Sequence, residues 1–382
     1  MKDRLFKEIE ALQSKYVSIW TDVCLIESPT DSKAGVDAVG RYFTDLAKQN
    51  GWKLEVFEQP VAGHVISVTM NADVAASPIA LSGHMDTVHP IGSFPSPTVR
   101  IEDDVIYGPG VCDCKGGIVA GFLAMEALQK CGFDKRPVVM YLQSDEEGGG
   151  KFSNDETIRH ICQAAQGAVA FLNLEGGASG QICSERKGIA SFEITVTGQE
   201  AHSARCATLG ANAILQAAQL IVELEKYKDA NGLTCCCTLI NGGTKHNVVP
   251  GQCQFTANVR FVSQKQLNDF HTMLNEMAAN PTVNGCSIKV VLPRVRPSLE
   301  ENQRNLALID RLNKIWVEAG MEPLTKIRSL GGSDAANASV SGLATVDNLG
   351  VFGGNAHNTK EYAIVSSLAH QAKRIALAAL YI

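Results

Sequence analysis

Side chains that bind metal ions occur in five separate segments of this chain, each at the end of an apolar run or within a glycine-rich turn. Imidazole and carboxylate groups are good zinc ligands, and glycine lets the backbone turn sharply enough for such groups to converge. The sequence therefore predicts a metal centre. The candidate residues are His84 after PIALSG, Asp113 in GPGVCDCKGG, Glu146 and Glu147 after VVMYLQSD, Glu175 after AVAFLNL, and His357 in GGNAHNTKEY.

The charges of these groups suit two zinc ions. Two neutral imidazoles and three carboxylates offer three negative charges against four positive ones, and a bridging hydroxide would balance the sum. A bridging carboxylate allows the separation of about 3.5–4 Å that two-metal sites use. The alternative is that His84 is an ordinary core or surface residue and that the acidic run 145–147 is a solvated face. That alternative does not explain why this run lies between a buried strand and three glycines.

Alternating strands and helices would position these residues. Apolar runs at 78–82, 138–143 and 168–174 predict buried strands, while 115–131 carries a helical pattern and 361–381 predicts one amphipathic helix. Continuous apolar strands separated by helices indicate an α/β fold with a mainly parallel sheet. The carboxyl ends of its strands are where open α/β sheets build their sites.

The pattern changes after Arg186, where GIASFEITVTG alternates apolar and polar residues. Residues 188–292 then follow the order β-α-β-β-α-β, which is typical of a small ferredoxin-like α+β domain. We therefore predict a catalytic domain formed by residues 1–185 and 296–382, with residues 186–295 inserted as a second domain.

Composition excludes several partners. The chain has 382 residues, a net charge of -6 and a pI near 5.9, which gives no electrostatic basis for binding nucleic acid or an anionic membrane. The N-terminal residues MKDRLFKEIEAL lack the apolar core of a signal peptide. The twelve cysteines are not spaced as a secreted disulfide framework, so we expect reduced thiols and a cytoplasmic protein.

Eight motifs occur in the order typical of M20-type metallopeptidases: SGHMDTV, GPGVCDCKGG, SDEEGGG, NLEGG, QEAHSA, GGTKHNVVPGQ, GGSDA and GNAHNTKEY. The chain resembles this family over nearly its whole length, and GPGxxDxKGG and LGGSDAANAxxSG are most similar to the glutamate carboxypeptidase branch. The resemblance implies a zinc-exopeptidase-like catalytic domain with an inserted ferredoxin-like lid and dimerisation domain. It also implies a homodimer with two Zn²⁺ per subunit, with Co²⁺ or Mn²⁺ as alternatives.

The resemblance also implies a role for each ligand. Asp113 bridges both ions, His84 and Glu175 complete one site, and Glu147 and His357 complete the other.

Two further residues and one peptide bond carry expected roles. Asp86 would orient the ring of His84, as metal-bound histidines usually require. Glu146 would be the general base, which takes a proton from a metal-activated water and passes it to the leaving amine. In this family the bridging Asp precedes a cis peptide bond, here between Asp113 and Cys114.

Substrate-binding residues are expected in the inserted domain and in one turn. His202 in GQEAHSA would reach the neighbouring subunit's site and stabilise the oxyanion. Asn247 and Arg260 match family positions that contact substrate, and Arg can hold a carboxylate with two parallel hydrogen bonds. Amides near Gly332 could hold a carboxylate as well. The alternatives are a surface histidine, an interdomain ion pair for Arg260 and a simple loop at 331–333.

The implied function is hydrolysis of an amide bond next to a free carboxylate, by a carboxypeptidase or an N-acyl-amino-acid deacylase. Aminopeptidase-type members of the family tend to use Asp at the position of Glu175. A dipeptidase or tripeptide aminopeptidase is the alternative among enzymes, and a catalytically silent peptide-binding or dimer scaffold is the alternative of another class. Cys112 and Cys114 depart from the usual family residues, and they suggest a third possible function, a thiol-based metal or redox sensor. We expect both side chains to pack away from the metals.

Overall fold

The computed structural model describes residues 1–382, which form two compact units. The first unit comprises Met1–Ser184, Glu301–Arg328 and Ser333–Ile382, and the second comprises Glu185–Glu300 and Ser329–Gly332. The predicted insert, residues 186–295, lies within the second unit.

Nine α-helices and one short 3-10 helix (Ser203–Arg205) form. Several α-helices begin at a polar residue whose side chain accepts a hydrogen bond from the first turn, as at Ser32, Asn212, Ser263 and Asn302. The α-helices are α1 (Lys2–Leu25), α2 (Lys33–Gln49), α3 (Lys115–Lys130), α4 (Glu156–Ala164), α5 (Ala213–Leu224), α6 (Gln264–Ala279), α7 (Gln303–Glu318), α8 (Asp334–Val340) and α9 (Ser367–Tyr381). None of them combines the length and the apolar character needed to cross a bilayer.

Nineteen strands alternate with these helices. The strands are β1 (Lys53–Phe57), β2 (Val65–Met70), β3 (Ile79–His84), β4 (Arg100–Glu102), β5 (Val105–Tyr107), β6 (Val138–Gln143), β7 (Ala170–Asn173), β8 (Gln181–Arg186), β9 (Gly188–Thr197), β10 (Ala201–His202), β11 (Thr234–Gly242), β12 (Val248–Val249), β13 (Gln252–Phe261), β14 (Ser287–Val291), β15 (Val295–Arg296), β16 (Thr325–Ser329), β17 (Thr345–Val346), β18 (Gly353–Gly354) and β19 (Tyr362–Ile364).

The first unit is built on a six-stranded sheet in the order β1-β2-β6-β3-β7-β17. Strands β6, β3, β7 and β17 are parallel, and β1 and β2 add to one edge in antiparallel fashion. The central strands β3 and β6 are buried along their whole length, as their apolar sequences predict. Helices α1, α3 and α9 contribute Trp20, Phe122 and Leu377 to the largest hydrophobic core of this unit. This packing fixes the carboxyl ends of β3 and β7 at the same edge.

The second unit has a separate core and a four-strand order of β11-β13-β9-β14, with β15 also paired to β9. Helices α5 and α6 bury Leu220 and Phe270 in this core together with Phe192 of β9. The α/β fold with a mainly parallel sheet and an additional α+β unit is confirmed.

The predicted C-terminal helix is wrong at its beginning. Instead of starting near residue 361, α9 starts at Ser367, and Tyr362–Ile364 form β19, which pairs with β5. Ala363 is fully buried while its two neighbours are half-buried, which is a strand pattern that the longer helical periodicity concealed. The difference matters because Glu361 lies immediately before β19.

Candidate metal centre

His84 is the last residue of β3 and is 2% exposed. Its Nδ1 atom lies 2.9 Å from the backbone oxygen of Asp86, and its Nε2 atom lies 3.0 Å from Oδ1 of Asp113. An Nδ1–H group that donates to the carbonyl of Asp86 leaves the lone pair of Nε2 free for a cation. The strand end therefore presents Nε2 toward Asp113.

The loop that carries Asp113 is fixed by Glu361. One carboxylate oxygen of Glu361 accepts from the amides of Cys112 and Asp113, at 2.8 and 3.0 Å, and the other accepts from Gly110 at 3.1 Å. Charge-assisted hydrogen bonds to a buried carboxylate are among the stronger ones in proteins. The peptide bond between Asp113 and Cys114 is cis, as expected.

Lys115 holds the same loop from the other side. This lysine is fully buried and donates to two carbonyl oxygens at the end of α1, at 3.2 and 2.7 Å, where carbonyls lack helical partners. Gly117 lets the start of α3 approach the end of β7, because a Cβ atom there would overlap the backbone oxygen of Leu174. The loop after β5 and the end of β7 are therefore held close together.

Asp86 connects three segments of the site. Its carboxylate accepts from the backbone amides of Glu146 and Glu147, at 3.2 and 2.9 Å, and from the Thr30 hydroxyl at 2.8 Å. Its carboxylate oxygen Oδ1 also lies 3.4 Å from Nδ1 of His84. Asp86 thus positions the acidic turn after β6 as well as the histidine.

The five predicted ligands come together around Asp113. Nε2 of His357 lies 3.4 Å from Oδ2 of Asp113 and 3.1 Å from Oε2 of Glu147, while Nε2 of His84 lies 3.7 Å from Oε1 of Glu175. Each histidine therefore faces a different oxygen of Asp113, and each has a glutamate beside it.

Electrostatics mark this cluster as crowded with negative charge. Burial and the Asp113 carboxylate raise the pKa of Glu147 to about 8, and the same two causes raise that of Glu175 to about 8. Glu146 is 5% exposed and adds to both shifts. Hydrogen bonds to Asp113 and Glu147 raise the pKa of His357 to about 10. These carboxyl groups hold protons to such a pH because burial disfavours their charged forms and because their charges repel.

The donor set fits divalent cations. The imidazole nitrogens and carboxylate oxygens that lie 3.0–3.4 Å apart here are the kinds of atoms that Zn²⁺ takes as ligands. A divalent cation would remove the repulsion that raises the glutamate pKa values. Two three-residue groups satisfy the spacing of a metal site, namely His84 with Asp113 and Glu147, and His84 with Cys114 and Glu175.

Sequence reasoning missed three residues that hold the site. Glu361 and its partner His89, whose Nε2 lies 3.0 Å from the carboxylate, are 1% and 7% exposed. The third is Lys115. Sequence position could have indicated two of them, because Glu361 lies in the same motif as His357 and Lys115 directly follows the turn that carries Asp113. Both residues are buried, so neither is an ordinary charged surface residue.

His202 and Asn247 are adjacent in the second unit. His202 is an exposed residue of β10, which pairs with β12 so that His202 lies opposite Val248. The amide of Ser203 donates to the backbone oxygen of Asn247 at 2.9 Å.

Arg260 belongs to a group of arginines on one face of the second unit's sheet. Arg260 of β13 and Arg296 of β15 pair with the same residue of β9, Ile189, from opposite sides. Burial and the charge of Arg296 lower the pKa of Arg260. A Cβ atom on Gly332 would lie 2.5 Å from Cδ of Arg296, and Arg186 donates to the backbone oxygen of Gly331 at 3.5 Å. The turn at Gly332 therefore lies beside these arginines.

Similarity to known proteins agrees with this geometry. Residues 184–286 match the peptidase dimerisation domain of the M20 family. The chain is 26% identical over 348 residues to carboxypeptidase G2 of Pseudomonas sp. (strain RS-16). This alignment covers 90% of this chain and 83% of that protein. It is also 25% identical over 382 residues to a probable succinyl-diaminopimelate desuccinylase of Staphylococcus aureus (strain MRSA252). That alignment covers 88% of this chain and 90% of that protein.

The fold is shared with a solved structure. Aminopeptidase PepT from Bacillus cereus superposes with a TM-score of 0.77 and 21% identity, covering 96% of this chain and 98% of that chain. The matched domain, the two sequence relatives and the shared fold together support an M20-type metallopeptidase, which is a hydrolase.

Proposed function

We propose that this hydrolase binds two Zn²⁺ ions and cleaves an amide bond next to a free carboxylate. The observation that carries the proposal is the arrangement around Asp113, whose two oxygens face His84 and His357 while Glu175 and Glu147 lie beside them. In this assignment Asp113 would contribute to both ions, His84 and Glu175 would hold one, and Glu147 and His357 would hold the other. Zinc, when bound, acts as a Lewis acid and lowers the pKa of water.

Glu146 supplies the proton transfers in this proposal. It is buried, and its backbone amide is fixed by Asp86 at 3.2 Å. A carboxylate held in this way takes the proton of the attacking water and delivers it to the leaving amine. Asp86 orients both the base and His84, and His202 stabilises the oxyanion of the tetrahedral intermediate.

Arg260, Asn247 and the Gly332 turn are proposed to bind the substrate's carboxylate. The second arginine beside Arg260 supports this role, because neighbouring guanidinium groups gain from an anion that offsets their repulsion. A C-terminal amino acid such as glutamate, or the amino acid of an N-acyl conjugate, supplies such an anion.

A groove on the first unit offers space for the acyl side of the substrate. It has a volume of about 610 Å³, includes Glu147 in its wall, and is lined further by Val88, Ile91, Phe152 and Lys151. Lys151 is a cation in this groove, which also contains the carboxylates of Asp31 and Glu147, so a succinyl-type acyl group with its own carboxylate is a second candidate. The desuccinylase relative favours that candidate.

We also propose a homodimer that forms through the second unit. Strand β11 is the edge of its sheet, and Leu239 and Ile240 are 69% and 59% exposed there. An exposed apolar edge strand pairs readily with another chain, and this region matches a dimerisation domain. Sedimentation of the full chain should give the mass of two chains. Twelve free thiols fit a reducing compartment, so we propose a cytoplasmic location.

A substrate screen tests the proposed reaction. The chain loaded with Zn²⁺ or Co²⁺ is given N-acyl amino acids, N-succinyl amino acids and dipeptides that end in glutamate, each beside its α-carboxamide analogue. We expect cleavage of at least one class and loss of cleavage in its carboxamide. Equal cleavage of acids and carboxamides, or faster cleavage of tripeptides from their amino end, would reject the carboxylate requirement.

A further inference from the structure

The two cysteines that flank Asp113 face different surroundings. A Cβ atom added at Gly353 would lie 2.8 Å from Sγ of Cys112, whereas one added at Gly83 would lie 3.2 Å from Sγ of Cys114. Cys112 therefore fills space among glycines, and Cys114 points toward the end of β3, where His84 begins the metal site. The expectation that both sulfurs pack away from the cluster is contradicted for Cys114.

Cys114 is placed as a ligand would be. It is fully buried, and its sulfur accepts a hydrogen bond from the backbone amide of His84 at 3.3 Å. Its sulfur, a carboxylate oxygen of Glu175 and a ring nitrogen of His84 all lie within 4.8 Å of one another. This set unites sulfur, nitrogen and oxygen donors, which together bind zinc well.

We propose that Cys114 is an additional metal ligand, so that the ion held by His84 and Glu175 has a sulfur donor that the ion held by Glu147 and His357 lacks. As the metal–sulfur bond forms, the thiol S–H bond breaks and its proton leaves to solvent, with no change in oxidation state. The inference rests on the proposed metal site and adds one ligand to it.

The consequence is that the two ions differ. Thiolate favours zinc, cobalt or cadmium over manganese or magnesium, which prefer oxygen ligands. The ion at His84 would be enclosed and thiophilic. The other ion would lie beside His357, which is 59% exposed, and would exchange more readily.

Titration of the full chain with Co²⁺ tests the inference through absorption. A thiolate bound to Co²⁺ gives a near-ultraviolet sulfur-to-metal charge-transfer band. We expect this band in the wild type and in the matched control Cys112→Ser, and its loss in Cys114→Ser with cobalt still bound. A band that persists in Cys114→Ser, or no band in wild type that has bound cobalt, would overturn the inference.

X-ray absorption of the zinc-loaded wild type decides the matter if the Cys114 variant does not fold. A sulfur scatterer at about 2.3 Å from zinc supports the inference, and a shell of only nitrogen and oxygen rejects it. If cobalt binds and hydrolysis occurs without sulfur ligation, the inference alone fails. If no ion binds, the proposed function fails with it.

Discussion

Glu361 accepts a hydrogen bond from the backbone amide of Asp113 at 3.0 Å, although 248 residues separate the two in the sequence. Because Glu361 follows His357 by four residues, this contact joins the loop of Asp113, the proposed bridging carboxylate, to the segment of a second proposed ligand. Neither segment is a regular strand or helix at that point. The hydrogen bonds of Glu361 therefore fix these segments in place of the backbone hydrogen bonds of a helix or sheet.

Glu361→Gln should weaken metal binding by about 10- to 100-fold, because residues that orient ligands contribute on that scale. The amide nitrogen of the new side chain cannot accept from the loop amides, while the shape of the residue is kept. Competition with a chelating dye measures the affinity. Glu318→Gln, at a site 66% exposed on α7, is the matched control and should bind metal normally. Normal affinity in both variants would remove the positioning role of Glu361.

Glu146→Gln should keep its metal and lose turnover by about 10²- to 10⁴-fold, the usual contribution of a general base. The variant retains the backbone amide that Asp86 fixes, so the turn after β6 should persist. Metal analysis and kcat on the same sample provide the check. Turnover near that of the wild type would exclude this residue as the base.

Metal-free protein should lose stability as pH rises. The carboxyl pKa values of Glu147 and Glu175 are raised from 4.5 to about 8, so the folded state binds more protons than the unfolded state between these values. Stability therefore falls with pH across that window, and the raised pKa of His357 extends the fall toward pH 10. Thermal unfolding of metal-free and zinc-loaded protein from pH 5 to 9 should show a gap in Tm that widens with pH. Glu147→Gln should reduce the slope of the metal-free protein, and a metal-free Tm that rises over this range would contradict the electrostatics.

Arg260→Ala should raise KM for substrates with a free carboxylate by roughly 10- to 100-fold, since a hydrogen bond to a charged group contributes about 1.5–3 kcal/mol. The carboxamide analogues should be much less affected. Arg260→Lys keeps the charge but loses the paired hydrogen bonds, so its KM should fall between the two. Equal KM changes for acids and carboxamides would show that the residue acts on the fold instead of on the substrate.

Much of the site was predictable because its signals are local. His84 and Glu175 each directly follow an apolar run that forms a parallel strand, and Asp113 lies in a turn whose glycines permit close packing. Those patterns also predicted the strand at β6 with its observed bounds.

Other features depend on contacts that no local pattern encodes. The partners of Glu361 are amides about 250 residues away, so its own sequence context does not identify them, and the helical periodicity of 361–381 concealed the short strand β19. The different neighbours of Cys112 and Cys114 depend on the path of the loop between β5 and α3, which alternation along an extended chain does not describe. The arginine pair at Ile189 required the register of β9 with two other strands.

Hydrolysis and metal content measured together on one stripped sample test the central claim most directly. The chain is freed of metal with a chelator, assayed on its best carboxylate-bearing amide, and then titrated with Zn²⁺. We predict that cleavage disappears on stripping and returns as zinc binds, up to two ions per chain. Undiminished cleavage in a sample with no bound metal would contradict the account.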